Sequence, residues 1–303
     1  MKKSFLASLL MVLCVSFVQA SIFKNGDGKL VVKNYDVANY HAIHLNWAIK
    51  IVINNNTDIT PLRDKSFVEG PKVFNWMQGE KSSVSIKTDE NIISYIKVEV
   101  SEDGVLSIGV QDDYFIRATN LEINATCLQL DDLSVKGNIE THLLSPINNE
   151  TFSIQMQSVG KLFAEQGIAV KKGKIEMDGN GQMNISNLKS DEISVKVAAK
   201  SVLTIQNIEA GTMNVSNLGW SETNIAGKCE EFTCFVSGKS VVNAQSLVAN
   251  EVKCTVEERG KAKINAENSI NMKASGRGNI EYIGNATQKT MEKQDFGKIK
   301  RGK

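Results

Sequence analysis

The chain has 303 residues, with 35 Lys+Arg against 34 Asp+Glu, a formal net charge of +1 and 42% hydrophobic residues. That length suits one large domain or two ordinary ones; the hydrophobic content excludes wholesale disorder, and the charge balance excludes attraction to nucleic acid or membrane by bulk charge. With only 3 His (His41, His44 and His142), none in a His-x-x-x-His or His/carboxylate cluster, metal-centre and acid–base chemistry are poorly supplied, and neither a metal site nor a cofactor is expected.

Residues 1–20 have the form of a secretory signal. Lys2 and Lys3 give a positive start, Phe5 to Val18 an apolar run too short to span a bilayer comfortably, and Val18-Gln19-Ala20 the small residues of a cleavage site. Lipoprotein processing at Cys14 ranks below cleavage after Ala20, because Leu13 stands where such signals want Gly, Ala or Ser. The expected product is exported to the periplasm, the outer-membrane surface or the medium, with no integral membrane segment. Losing two lysines from 35 leaves 33 basic residues against 34 acidic, so the exported chain is close to neutral.

Residues 21–120 read as a less regular β region. Strand-type runs occur at Lys29–Lys33, Ile43–Ile53, Val84–Ile86, Ile92–Val100 and Val105–Val110, separated by hydrophilic turns such as Glu102-Asp103-Gly104. The stretch Thr57–Glu80 holds two of the three prolines (Pro61, Pro71) and Trp76, which predicts a long irregular loop. No linker-like composition separates residues 21–120 from residues 121–303, so the two regions are expected to be continuous.

From residue 121 to 303 the chain repeats. A small residue recurs at Gly137, Gly160, Gly181, Ser201, Ser221, Ser240, Gly260, Gly278 and Gly297, at spacings of 23, 21, 20, 20, 19, 20, 18 and 19. Two residues later comes a mostly apolar position (Leu162, Met183, Leu203, Val242, Ile280), and alternating apolar pairs such as Ile193/Val195 and Cys234/Val236 precede the small column. Period-2 alternation marks strands with one buried face. A repeat of this length without helical periodicity can coil once around a narrow core and stack on its neighbour, which predicts an all-β chain, mainly a right-handed parallel β-helix. The small column is expected to mark tight corners, where Gly takes an unusual backbone conformation or Ser satisfies the local backbone.

Four cysteines come after the signal: Cys127, Cys229, Cys234 and Cys254. Their even number permits disulfides in an oxidising compartment. Cys234 and Cys254 lie one repeat apart in strand-type surroundings (FTCFV, VKCTV) and are expected to be buried, free neighbours on adjacent coils, because side chains in parallel register are poorly disposed for a disulfide dihedral.

Catalytic constellations do not assemble from these repeats. Val236-Ser237-Gly238-Lys239-Ser240 ends like a phosphate-binding loop, but position 233 is Thr and no helix comes after it. Three positions before the small column only Asp178 and Glu257 are acidic, four coils or roughly 19 Å apart, too far for a glycosidase pair. No catalytic residue is predicted. The position immediately before the small column reads Lys136, Val159, Asn180, Lys200, Trp220, Lys239, Arg259, Arg277 and Phe296. In a solenoid Lys200, Lys239, Arg259 and Arg277 would form a basic stripe beside Trp220, suited to an anionic glycan; an exposed corner that merely tolerates long side chains would look the same.

Three segments carry a family resemblance. Gly28-Lys29-Leu30-Val31-Val32 followed by Tyr35-Asp36-Val37-Ala38-Asn39-Tyr40-His41-Ala42-Ile43 opens the chain, Asp89–Val100 leads into Asp103-Gly104-Val105-Leu106-Ser107-Ile108, and Ser275–Asn285 precedes a shortened last repeat at Phe296–Lys300. In order and spacing they resemble the putative auto-transporter adhesin, head GIN domain family. The middle departs from that family's Ser-Gly-Ala-Gly-Asp turns, as at Ala198-Ala199-Lys200-Ser201, and Ala286 replaces the closing Pro. The resemblance implies an exported, predominantly β-helical protein of Bacteroidetes-type bacteria with no established reaction. Together these readings predict a non-enzymatic cell-envelope protein that binds a surface polymer or protein and not nucleic acid. The alternative is a carbohydrate-active β-helix enzyme of lyase or hydrolase type.

Overall fold

The computed structural model describes residues 22–47, 72–111 and 114–302; the predicted signal, with Cys14 and Ala20, lies outside them, as does most of the predicted Thr57–Glu80 loop. The first nine strands are β1 (Ile22–Asn25), β2 (Leu30–Tyr35), β3 (Ala42–Asn46), β4 (Lys72–Gln78), β5 (Ser83–Asp89), β6 (Ile96–Val100), β7 (Val105–Val110), β8 (Tyr114–Arg117) and β9 (Leu121–Cys127). Beyond them come β10 (Asp132–Gly137), β11 (Glu140–Leu143), β12 (Ile147–Ser158), β13 (Lys161–Ala164), β14 (Ile168–Met177), β15 (Gln182–Val197), β16 (Val202–Asn217), β17 (Glu222–Val236), β18 (Val241–Val256), β19 (Lys261–Ala274), β20 (Asn279–Ile283), β21 (Gln288–Lys293) and β22 (Lys298–Arg301).

From β10 onward each coil pairs in parallel with the next, β15 with β16, β16 with β17, β17 with β18 and β18 with β19 over almost their full lengths. This is the parallel β-helix that the repeat predicts. Within β16, Leu203, Ile205, Ile208, Ala210, Met213, Val215 and Asn217 are buried, and the alternation is interrupted at Gln206-Asn207 and Gly211-Thr212. Each interruption puts two successive residues outside and bends the chain, so one coil has three short faces around its core. Inward residues stack in columns, for example Ile175, Val195, Val215, Cys234, Cys254 and Met272. Each large aliphatic buried this way contributes about 1.5–3 kcal/mol, and no single coil can bury its column without the neighbours.

The small column stacks as predicted from Gly160 to Gly297, with Ser201, Ser221 and Ser240 in register. Its first member is different: Glu140 pairs with Lys161, so Ile139, not Gly137, lies over Gly160. Gly137 pairs with Ser158 instead, and Lys136 with Gln157, which takes Lys136 out of line with the corner position before the small column. The reason for smallness also differs. Positive φ falls two residues earlier, at Ala199, Gly219, Gly238, Glu258, Gly276 and Asp295. The column itself points at neighbouring backbone: a Cβ on Gly278 would sit 2.7 Å from the Val256 carbonyl oxygen. Ser221 and Ser240 fit by donating from Oγ to the carbonyls of Val197 and Asn217, both at 3.0 Å.

The region before β10 holds the larger departures. Lys72–Gln78 is a strand, with Trp76 buried and its Nε1 donating to Cys127 Sγ at 3.2 Å, so the predicted loop does not extend this far. β3 ends at Asn46, the part of the predicted Ile43–Ile53 run beyond Trp47 lying outside the described residues, and a 3-10 turn at Ile93–Tyr95 replaces the start of the predicted Ile92–Val100 strand. β3 pairs in parallel with both β7 and β10, and β4 with both β9 and β11. The coil made by β3 and β4 is therefore interposed between the coil of β7–β9 and the coil of β10 and β11, out of sequence order. Beyond β7 and β9 the pairing turns antiparallel: β6 on β7, β5 on β9, and β2 on β5. These antiparallel strands cover that end of the stack. Asp89, fully buried, ties them together by accepting from the Gly28 and Thr119 amides at 2.8 and 2.7 Å and from Thr119 Oγ1 at 2.6 Å.

Candidate functional site: a cationic groove along one corner

At the corner of the repeat the chain passes through a four-residue turn, closed by a backbone hydrogen bond on several coils, as from Ser201 N–H to Ala198 O at 3.2 Å, from Gly260 N–H to Glu257 O at 2.9 Å and from Gly278 N–H to Ser275 O at 3.0 Å. The second residue of the turn has positive φ and the third does not. Gly238, at φ 77°, takes this conformation without steric cost; Glu258, at φ 56°, takes it as a non-glycine. The third turn residue is the one immediately before the small column. Its amide donates to the second turn residue of the preceding coil: Trp220 to Ala199, Lys239 to Gly219, Arg259 to Gly238, Arg277 to Glu258 and Phe296 to Gly276. Those bonds fix Lys200, Trp220, Lys239, Arg259, Arg277 and Phe296 in one outward row.

The structure thus brings together all five predicted stripe residues. Beside them runs an open groove of about 460 Å³, floored by Gly219, Gly238 and Gly276 and walled by Trp220, Lys239, Arg259 and Arg277. Trp220 is 61% exposed, and Lys239 Nζ lies 3.9 Å from its ring centroid. A cation over an exposed indole gains about 0.5–1 kcal/mol, so the ring holds this ammonium in place within the row. Among the described residues no carboxylate forms an ion pair with Lys200, Lys239, Arg259 or Arg277, whereas face lysines do pair with the next coil, as Lys189 with Glu209 at 3.5 Å and Lys300 with Glu281 at 3.0 Å. Like charges on adjacent coils repel by roughly 1 kcal/mol per pair in water, less with salt. An arriving polyanion would relieve that repulsion.

One residue of the groove escapes the stripe pattern read from sequence. Glu258 lines it among the cations, because it occupies the left-handed position that Gly holds on the neighbouring coils. Phe296 ends the row and is 74% exposed. Asp178 and Glu257 stay four coils apart, as their backbone bonds to Met156 and Val236 show. The histidines do acquire carboxylates, contrary to the sequence reading: His41 with Asp131 at 3.5 Å, His44 with Asp132 at 3.2 Å, and His142 with Glu140 at 3.0 Å. The last pair is legible in the sequence as i, i+2 on one strand face. The first two arise only because β3 docks beside β10. Among the described residues no group of His, Cys, Asp and Glu is placed to hold a metal ion.

A stack of in-register coils with a solvent-open cationic corner and a single carboxylate in its groove defines a β-solenoid whose surface is organised along its length. The chain belongs to the family described as Putative auto-transporter adhesin, head GIN domain, whose model matches it twice, over residues 67–187 and 173–286. The chain is similar to the crystal structure of a putative adhesin from Parabacteroides distasonis, at 22% identity and a TM-score of 0.67 over 93% of this chain and 100% of that one. A putative adhesin from Parabacteroides merdae matches at 18% identity and a TM-score of 0.61, over 93% and 99%. A protein from P. distasonis named a putative lipid binding protein matches at 18% and 0.59, over 93% and 100%. At these identities the likeness is one of fold. None of the curated proteins matches this chain.

Proposed function

We propose that this chain is an exported, non-enzymatic cell-envelope protein, an adhesin-type scaffold that binds an acidic surface glycan along the row of Lys200, Trp220, Lys239, Arg259 and Arg277. The observation that carries this reading is the groove itself: cations on three consecutive coils, without ion-pair partners among the described residues and held in register by backbone bonds, beside an exposed indole. Family membership supports a surface-binding role, and no helix among the described residues is long and apolar enough to cross a membrane. The export reading rests on residues 1–20 and is tested by fractionating the producing cell and by the intact mass of the exported form, which should begin at Ser21.

Cosedimentation with purified envelope polysaccharide, or a glycan array, tests the binding. Affinity should fall with added salt, because the contacts displace counterions, and replacing Lys239, Arg259 and Arg277 together by Gln should abolish it while leaving the fold intact. Equal binding by the triple variant at low salt would reduce the row to a solvated corner.

One observation favours a second reading, a polysaccharide lyase: Glu258 shares the groove with Arg259 and Arg277, so a carboxylate and guanidinium groups could face one sugar. Incubation with acidic polysaccharides, following the ultraviolet absorbance of an unsaturated product, separates the two readings. The scaffold reading expects no product.

A further inference from the structure

We infer that the corner row is one end-to-end site for about five units of an acidic polysaccharide carrying a carboxylate on every sugar, laid parallel to the solenoid axis, with Phe296 as its second aromatic end. This rests on the polymer-binding reading above and gives it a length, a direction and a charge pattern.

One coil after Lys200, the stretch of the row from Trp220 to Phe296 begins and ends on an exposed ring. Trp220 is 61% and Phe296 74% exposed, and they are joined through Lys239, Arg259 and Arg277 by the same ladder of backbone bonds. Position at the end of the chain does not account for Phe296: the third turn residue points outward on every coil, as Lys200, Arg259 and Arg277 do. Exposed rings offer flat apolar faces to the C–H faces of sugars, and the cations between them suit carboxylates through charge-assisted hydrogen bonds. Coils stack at about 4.8 Å, comparable to the advance of a polymer by one hexuronate, so one carboxylate can meet each of the three cationic rungs. A polymer charged on alternate sugars would leave rungs unmatched. The side-chain-free Gly219, Gly238 and Gly276 leave most of the floor open for a chain running along the axis, with Glu258 the one side chain between them.

A basic groove with aromatic residues also suits single-stranded nucleic acid, so the test includes it. Titration calorimetry at low salt would use oligogalacturonates from the dimer to the octamer, an oligomer of hyaluronate, and oligothymidylate of matched charge. Affinity should rise with length up to the pentamer and stay level beyond it, with hyaluronate and oligothymidylate weaker. Phe296→Ala should lower pentamer affinity about five-fold and move the plateau to the tetramer. A plateau at the trimer or below, a pentamer affinity unchanged by Phe296→Ala, or equal binding of hyaluronate or oligothymidylate would each overturn the inference. In those cases salt-sensitive binding lost in the triple Gln variant would leave the polymer reading standing. Absence of binding by any oligogalacturonate and by envelope polysaccharide removes both.

Discussion

Cys234 and Cys254 are Cα partners on adjacent coils with their Sγ atoms 3.1 Å apart, both buried and neither in a disulfide. Parallel register points the two side chains the same way, which suits a thiol–thiol contact and not the dihedral of an S–S bond. The hydrogen bond shared with Cys234, which is lost if Cys254 gives up its proton, together with burial, raises the Cys254 thiol well above its ordinary range. Titration of the denatured protein without reductant should therefore count all four thiols of the exported chain, while the native protein should resist alkylating reagents at neutral pH. Recovery of only two thiols after denaturation would show that a pair had been oxidised.

Alkaline pH should weaken the fold. Burial pushes the Cys229 thiol up to about 11 and raises that of Cys127. A thiol whose folded value lies above its unfolded value contributes stability that is fully present below the unfolded value, near about 8.5, and is lost as pH rises through the folded one. Lys72 acts in the opposite sense, its amine lowered to about 8 by burial, so that its unfavourable contribution disappears as pH rises. Comparing Cys229→Ala with the parent cancels the lysine. Between about pH 8.5 and 11 the denaturation midpoint of the variant should decline less steeply, and parallel curves would contradict the assignment.

Two serines of one column should respond oppositely to Ala. Ser201 Oγ is buried without a partner among the described residues, whereas Ser240 Oγ donates to Asn217 O. An unsatisfied buried hydroxyl costs about 1 kcal/mol and a satisfied one contributes about the same. Ser201→Ala should raise the thermal midpoint and Ser240→Ala should lower it. Two shifts of the same sign would mean that the hydroxyls do not differ in the way their contacts indicate.

Glu258→Gly is expected to act on fold and groove together. It frees a left-handed position of a penalty of roughly 1 kcal/mol, partly offset by the greater freedom of Gly in the unfolded chain, so stability should rise slightly. It also removes the groove's carboxylate, so affinity for a polyanion at low salt should increase several-fold, with little effect at high salt. If the variant binds more weakly, Glu258 belongs to the binding chemistry, as the lyase reading would have it.

Local chemistry alone carries the repeat, because a twenty-residue period writes its inward columns and corners directly into residue types. Ser201, Ser221 and Ser240 align by counting, and the position before them then gives Lys200, Trp220, Lys239, Arg259 and Arg277 as one row. Counting cannot show which corner residue carries the positive φ. Smallness has two causes, backbone conformation and lack of room, and only the packing of Gly278 against the Val256 carbonyl tells them apart. The same ambiguity hides Glu258, whose place in the groove depends on a turn geometry that its residue type does not favour.

The order of coils is beyond any local signal. An inward-facing strand in one coil has the same alternation as in the next, so nothing in residues 42–46 or 72–78 says that β3 and β4 lie between β7–β9 and β10–β11. Pairing partners are chosen by which edges meet and bury each other's columns, and that choice is made only in three dimensions. It is what sets His41 beside Asp131 and His44 beside Asp132, roughly ninety positions apart in the chain.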